Sequence, residues 1–287
     1  LEINAHGVSV IRVKLVDGKW DVVKGDTHNR RFTGVTEFDI TGPVTADAVR
    51  TKFSQGQAIA RGTFNNCGNG STPWGTYLTC EENWPGYFMK TAERFAADDR
   101  LGVDDSKTRY GWENAIGMSG ELQDEFTRFD GTPSGATQDD DYRNEVNGHG
   151  YIVEIDPYNP DSRGQKRTAL GRFRHEGCTF GKLEEGKPVV FYSGHDSRFE
   201  YVYKFVSNKN WTASDANPVN RLATGASYMN EGTLYVAQFN INGHGKWLPL
   251  TLDSIDKDGN ALSNSFATLS DIILNTPGAA DLLGATP

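Results

Sequence analysis

Short apolar stretches that alternate with polar residues, each cut off by Gly, Pro, Asn or Asp, recur along this chain and predict β-hairpins rather than long helices. His6-Gly7-Val8-Ser9-Val10-Ile11-Arg12-Val13-Lys14-Leu15 runs through Asp17-Gly18 into Lys19-Trp20. Residues 231–239 repeat that pattern and pass through a Gly-rich turn into Lys246-Trp247. A third copy opens at residues 149–156, crosses a Pro/Asn/Gly loop and returns over residues 167–173. Residues 189–193 and 200–205 are further short alternating strands. Antiparallel hairpins recurring with glycine and aromatic markers predict an all-β chain, with the hairpins as blades of a β-propeller; a sandwich is the alternative.

Residues 90–147 break this rhythm, being poor in strand pattern and rich in Asp, Gly and Ser, and read as an insertion within a single domain spanning residues 1–287. Short helical insertions are predicted over 92–98, with Thr91 as N-cap, and over 270–274 and 277–283. The last has Thr276 before a first-turn Pro277, and Gly284 at its close. Gln138-Asp139-Asp140-Asp141 reads as a solvated acidic turn, with a calcium site as the alternative.

A formal net charge of -9 and a pI near 5.2 exclude a nucleic-acid backbone or an anionic lipid surface as the general partner. A phosphorylated substrate would therefore need local positive charge, which bound cations can supply. No run approaches the roughly 18 apolar residues of a membrane span, in keeping with a mean hydropathy of -0.57. The three cysteines match no zinc-finger spacing. The chain opens at Leu1 without Met and closes at Pro287, and reads as a trimmed form or as part of a longer polypeptide.

Candidate chemistry concentrates in residues 61–88. Pairing the strand-like segments around the Gly68-to-Gly75 loop brings Asn65, Asn66 and Cys67 near Cys80, Glu81 and Glu82. Amide oxygens, thiolates and carboxylates in one patch offer ligands for calcium and for a transition metal; a Cys67–Cys80 disulfide is the competing reading. Arg174-His175-Glu176-Gly177 sets a carboxylate beside cationic neighbours, as a metal ligand or as a salt-bridged structural residue. Alternation over 196–200 predicts Asp196, Arg198 and Glu200 on one face of an extended segment. Asp256-Lys257-Asp258-Gly259-Asn260 reads as a hairpin turn, His149 and His244 as turn residues, and Cys178 as a small buried hydrophobe. There is no G-x-S-x-G elbow and no phosphate-cradling P-loop.

Asn65-Asn66-Cys67, the run Thr72-Pro73-Trp74-Gly75-Thr76-Tyr77-Leu78-Thr79-Cys80-Glu81-Glu82-Asn83, His175-Glu176-Gly177 and Arg198-Phe199-Glu200-Tyr201-Val202-Tyr203-Lys204-Phe205 resemble the motifs of the PhoX alkaline phosphatase family. The likeness runs over most of the chain, least in the acidic insertion. It implies a six-bladed propeller and an exported phosphomonoesterase, periplasmic or extracellular and monomeric, that releases phosphate from phosphate monoesters. It also implies Ca2+ and Fe3+ as cofactors, with the irons bridged by a cysteine sulfur. On this chain the resemblance places a cysteine ligand at Cys67 or Cys80 and a carboxylate ligand at Glu176. Glu81, Glu82, Asn65 and Glu200 are then calcium or supporting positions, and Arg198 lies near the substrate phosphate. Full-length members continue past the Gly-Ala-Thr-Pro motif into a segment supplying a further Arg and Glu to the site. The alternatives are a calcium-dependent propeller hydrolase of lactones or phosphotriesters, and a non-catalytic binding propeller.

Overall fold

Alternating strands are stable only where their apolar faces are covered, and the fold is organised by which faces are. The computed structural model describes residues 2–118 and 123–287. Its strands are β1 (Val8–Val10), β2 (Val13–Val16), β3 (Lys19–Val22), β4 (Arg30–Phe32), β5 (Glu37–Thr41), β6 (Ile59–Arg61), β7 (Asn66–Ser71), β8 (Tyr77–Glu81), β9 (Ile152–Ile155), β10 (Gly164–Arg167), β11 (Thr179–Phe180), β12 (Pro188–Gly194), β13 (Val202–Asn210), β14 (Gly232–Phe239) and β15 (Gly245–Pro249). The helices are short: α1 (Glu2–Ala5), α2 (Ala96–Leu101), α3 (Gln123–Thr127), α4 (Arg221–Met229), α5 (Leu269–Leu274) and α6 (Thr276–Leu283).

One sheet has the order β6-β5-β10-β9-β8-β7 and a second runs β11 to β15 in sequence, with two-stranded sheets β1-β4 and β2-β3. All pairings are antiparallel except β10 with β5. The protein is thus mostly β, built of several open sheets with few helices. The main core lies where the two large sheets and α4 to α6 meet, around Trp74, Phe173, Phe191, Tyr203 and Tyr228. β9 is buried on both faces, and its Glu154 is neutralised by Arg167 and accepts from Trp74 Nε1 (2.7 Å) and Thr76 Oγ1 (2.6 Å).

The hairpins predicted through Asp17-Gly18 and from residues 231–239 into Lys246-Trp247 form as β2-β3 and β14-β15, and the strands predicted at 189–193 and 200–205 pair as β12-β13. The strand expected unbroken from His6 to Leu15 is instead divided, β1 pairing β4 and only β2 pairing β3. The third hairpin returns earlier than the sequence suggests, over β10, and residues 168–170 form a 3-10 turn ended by Gly171 at φ 95°. Its strand stops where the buried Arg167 reaches Glu154. Residues 90–147 form no strand among the described residues, as predicted, yet they carry their own aromatic core, in which Phe88, Trp112 and Phe129 pack with Phe64 and Trp84. The first helix there begins at Ala96, not after Thr91. The Asp98 carboxylate accepts from Phe95 N–H (2.8 Å), while Thr91 is tied to Thr132 instead.

The acidic turn is not simply solvated: Asp139 pairs with Arg50 (2.6 Å), and buried Asp141 accepts from Ser134 N–H, Gly135 N–H and Arg143. His149 is likewise no surface turn residue but fully buried beside Lys166, whereas His244 is exposed in its turn. Asp256 Oδ1 accepts from Asp258 and Asn260 N–H (2.8 Å each), closing a hairpin turn.

Candidate active site

The β7–β8 hairpin pairs Asn69 with Thr79 and Asn66 with Glu81, so Cys67 and Gly68 together oppose Cys80. That extra residue is a β-bulge, which re-aims the side chains on its strand. Cys67 is exposed, Cys80 lies in the core, and both are free, as is buried Cys178. The disulfide reading is thereby overturned, because the bulge turns the two thiols to different sides. Asn65, at φ 49°, straps the hairpin end: its carbonyl accepts from Glu82 N–H (3.1 Å) and its side-chain oxygen from Asn83 N–H (3.2 Å).

Consecutive strand residues point to opposite faces, and this separates the acidic pair. Glu81 is fully buried; Lys166 Nζ lies 2.8 Å from its Oε1, while its Oε2 accepts from Gly150 and Tyr151 N–H (2.8 and 3.1 Å). Burial opposes this charge, but Lys166 and then His149 hold the carboxyl far below its ordinary range. Glu82 turns the other way, accepting from the Cys67 thiol and from Asn83 Nδ2 (2.6 Å), with the Asp196 carboxyl hydrogen-bonded to it. Burial, and then Asp196, raise the Glu82 carboxyl above its ordinary value, against the Cys67 bond. A second carboxylate beside Glu82 disfavours its charged form, since like charges repel at close range. Burial, Glu82 and Glu176 raise the Cys67 thiol.

Glu176 and Asp196 arrive from the second sheet. His175 N–H donates to Glu81 C=O (2.9 Å), Glu176 N–H to Gly194 C=O (3.4 Å) and Asp196 N–H to Arg174 C=O (3.0 Å). Buried His175 bonds Ser193 Oγ (2.8 Å) and Gly171 C=O (3.0 Å), and burial lowers its imidazole to about 3. The segment 174–178 is thereby clamped between β8 and the end of β12.

The structure brings Cys67, Glu82 and Glu176 together and adds Asp196. It does not bring Cys80 or Glu81 to them, nor Glu200, which is taken up by Arg100 (Nη2 3.0 Å from Oε2) and His195 (Nδ1 3.1 Å from Oε2). Burial would raise Glu200, but His195 and Arg100 hold it at about 2. Arg198 is exposed in the turn between β12 and β13, without an ion-pair partner among the described residues. That turn, with Phe199 at φ 64°, breaks the alternation expected to align Asp196, Arg198 and Glu200. Sequence reasoning named Asp196, on one face with Arg198 and Glu200, without counting it among the site residues.

The family described as alkaline phosphatase PhoX matches residues 1–287. The chain belongs to the PhoX alkaline phosphatase family. Among solved structures it is similar to Pseudomonas fluorescens PhoX in complex with vanadate, a transition state analogue, at 35% identity and a TM-score of 0.79. That likeness covers 98% of this chain and 46% of the other, so the chain spans just under half the length of that PhoX. No curated protein matches it.

Membership of the PhoX family raises the question of metal. Among the described residues no group of three or more His, Cys, Asp and Glu side chains closes on a point that could hold an ion. The donors that gather are nevertheless of the kinds such ions take. A thiol suits iron and carboxylates suit calcium; Glu82 and Cys67 are raised first by burial, with a neighbouring carboxylate adding to it, a setting that a cation would relieve. The set is partial, and the fit lies in its chemistry.

Proposed function

We propose that this PhoX-family chain carries part of the active site of a phosphomonoesterase that hydrolyses phosphate monoesters to inorganic phosphate. The observation that carries this reading is the convergence of Cys67, Glu82, Glu176 and Asp196 from two sheets onto one patch, where Cys67 and Asp196 adjoin Glu82 and Glu176 lies near Cys67. In this reading Cys67 and Glu176 hold iron, Glu82 and Asp196 hold calcium, and Asn65 supports the hairpin that presents them. The vanadate bound by the Pseudomonas fluorescens relative supports phosphate as the group recognised. The antiparallel meander β12 to β15 is read as one blade of a six-bladed propeller. Export to the periplasm or beyond is part of the same proposal; no helix among the described residues is long and apolar enough to cross a membrane.

When bound, the cations would polarise the ester's P–O bonds and neutralise the charge that develops on the phosphoryl oxygens. The chain's own residues prepare that chemistry. Glu82, with Asp196 beside it, and Cys67 are both raised by burial, and a cation held there would favour their charged forms. Asn83, donating to Glu82 Oε1, fixes that carboxylate's orientation. Arg198, exposed beside Asp196, is the cation that meets substrate phosphate.

Hydrolysis of p-nitrophenyl phosphate by the full-length protein tests the reading. Activity should vanish on calcium chelation, return with calcium, and be abolished by Glu176→Gln with folding intact. Elemental analysis should find iron and calcium. Activity that survives prolonged chelation, or full turnover and metal content in Glu176→Gln, would overturn it. Calcium without iron would favour a lactone or phosphotriester hydrolase.

A further inference from the structure

On the other side of the 82–87 turn from Cys67 lies a cleft of about 300 Å³, lined by Asn83, Lys107, Arg109 and Arg174, with Asp104 at its edge. It is more cationic than an acidic protein's surface ordinarily presents: Lys107, Arg109 and Arg174 face one carboxylate. That carboxylate is occupied, because Asp104 Oδ1 accepts from Ser106 N–H, Ser106 Oγ–H and Lys107 N–H (2.8 to 3.1 Å). Neither Arg109 nor Arg174 has an ion-pair partner among the described residues.

The Arg174 guanidinium and the Arg109 stem are positioned before any ligand arrives. Arg174 Nη2 donates to Leu101 C=O (3.3 Å) and Nη1 to Asn83 Oδ1 (3.5 Å), and its backbone is clamped by Asp196. Arg109 N–H donates to Gly86 C=O (2.8 Å), and its stem lies so close over Gly86 that a Cβ there would meet Arg109 Cβ at 3.2 Å. Like charges brought together without an ion-pair partner are stabilised by an anion, and the planar guanidinium matches phosphate oxygens in pairs. The cleft is joined to the metal-ligand patch through Asn83, which lines it and donates to Glu82.

We propose that this cleft is a distal anion site that binds a second phosphoryl group of the substrate, so that bisphosphorylated esters are preferred to esters with an uncharged leaving group. The proposal rests on the phosphatase reading above. Lys107 and Arg109 belong to the insertion that resembles the family least, so the preference would be a property of this chain.

The test compares fructose 1,6-bisphosphate with p-nitrophenyl phosphate on full-length wild type and Lys107→Ala/Arg109→Ala, by steady-state kinetics. The ratio of kcat/KM for the two esters should fall about tenfold in the double variant, through KM for the bisphosphate. An Arg109→Lys variant should recover part of the ratio, since the charge remains while the paired geometry is lost. Pyrophosphate binding followed by calorimetry on the metal-free protein gives a readout independent of turnover, and should weaken about tenfold in the double variant. An unchanged ratio together with unchanged pyrophosphate affinity would overturn the distal site. Failure of the phosphatase reading instead shows as no turnover of either ester while the pyrophosphate arm still reports on the cleft.

Discussion

Gly68 lies against the backbone of Glu176 so closely that a Cβ on it would stand 2.1 Å from the Glu176 carbonyl oxygen. Gly70 repeats the relationship with Cys178, at 1.9 Å. The two glycines let β7 press against the 176–178 segment, and this is what carries Glu176 to the side of the hairpin that bears Cys67. Gly68→Ala should therefore force the segments apart, costing about 1–3 kcal/mol as overpacking does and depressing activity through displaced Glu176. Gly194→Ala, where a Cβ meets nothing within 4 Å, should cost far less. Thermal denaturation of both variants decides the point; equal losses would show that the close approach is not what constrains Gly68.

The three cysteines should separate cleanly by reactivity. Cys67 is the exposed thiol, and its raised pKa makes it slow to alkylate at neutral pH and faster as pH rises. Cys80 and Cys178, both buried and both raised by burial, should label only on unfolding. Cys67→Ser should leave stability nearly unchanged and abolish metal-dependent activity. Cys80→Ser should cost about 1–3 kcal/mol by burying a hydroxyl without a designed partner. Mass spectrometry of labelled protein, native and denatured, checks this; labelling of Cys80 in the native state would contradict the placement.

Adjacent glutamates should give opposite results. Glu81→Gln leaves Lys166 buried without its counter-charge, at about 3–5 kcal/mol. Glu82→Gln removes one of two facing carboxylates and should cost no more than about 1 kcal/mol while eliminating activity. Chemical denaturation distinguishes them, and similar midpoints for the two variants would refute the assignment of separate faces.

Acid should weaken the fold through buried imidazoles. Burial lowers His149 and His175 from 6.5 to about 3, so between those values the unfolded chain binds protons that the folded chain refuses. Stability is fully present above about pH 6.5 and is lost as pH falls towards 3, by about 1.4 kcal/mol per pH unit for each imidazole. Glu200 works in a lower window: held at about 2 against an ordinary 4.5, its contribution is present above about 4.5 and lost as pH falls through about 2. Histidine NMR from pH 8 to 4.5 should find two imidazoles that do not titrate, and an observed titration near 6.5 for both would exclude buried neutral rings.

Local rules of the chain account for much of what is seen. Period-two alternation located β12-β13 and, with Asp-Gly and Asn-Gly turns, β2-β3 and β14-β15, because a hairpin's register depends on residues a few positions apart. Thr276, Pro277 and Gly284 likewise marked the last helix, whose Gly284 takes φ 74°, since caps are local chemistry. Helix α2 escaped because Thr91 had a distant partner, Thr132, that sequence distance concealed.

What the sequence by itself determined, then, is the mostly-β character, several of the hairpins and the segments from which the site is drawn. Which members of those segments face it was decided by tertiary structure. A one-residue bulge opposite Cys80 separated two thiols that strand pairing alone would bring together. The buried Lys166 claimed Glu81 and left Glu82 to Cys67. Asp196 joined them because its N–H bonds Arg174 C=O while the next residue, His175, bonds Glu81 C=O in the other sheet. These are contacts between residues tens of positions apart, and their energies depend on burial and on partners that no local pattern encodes.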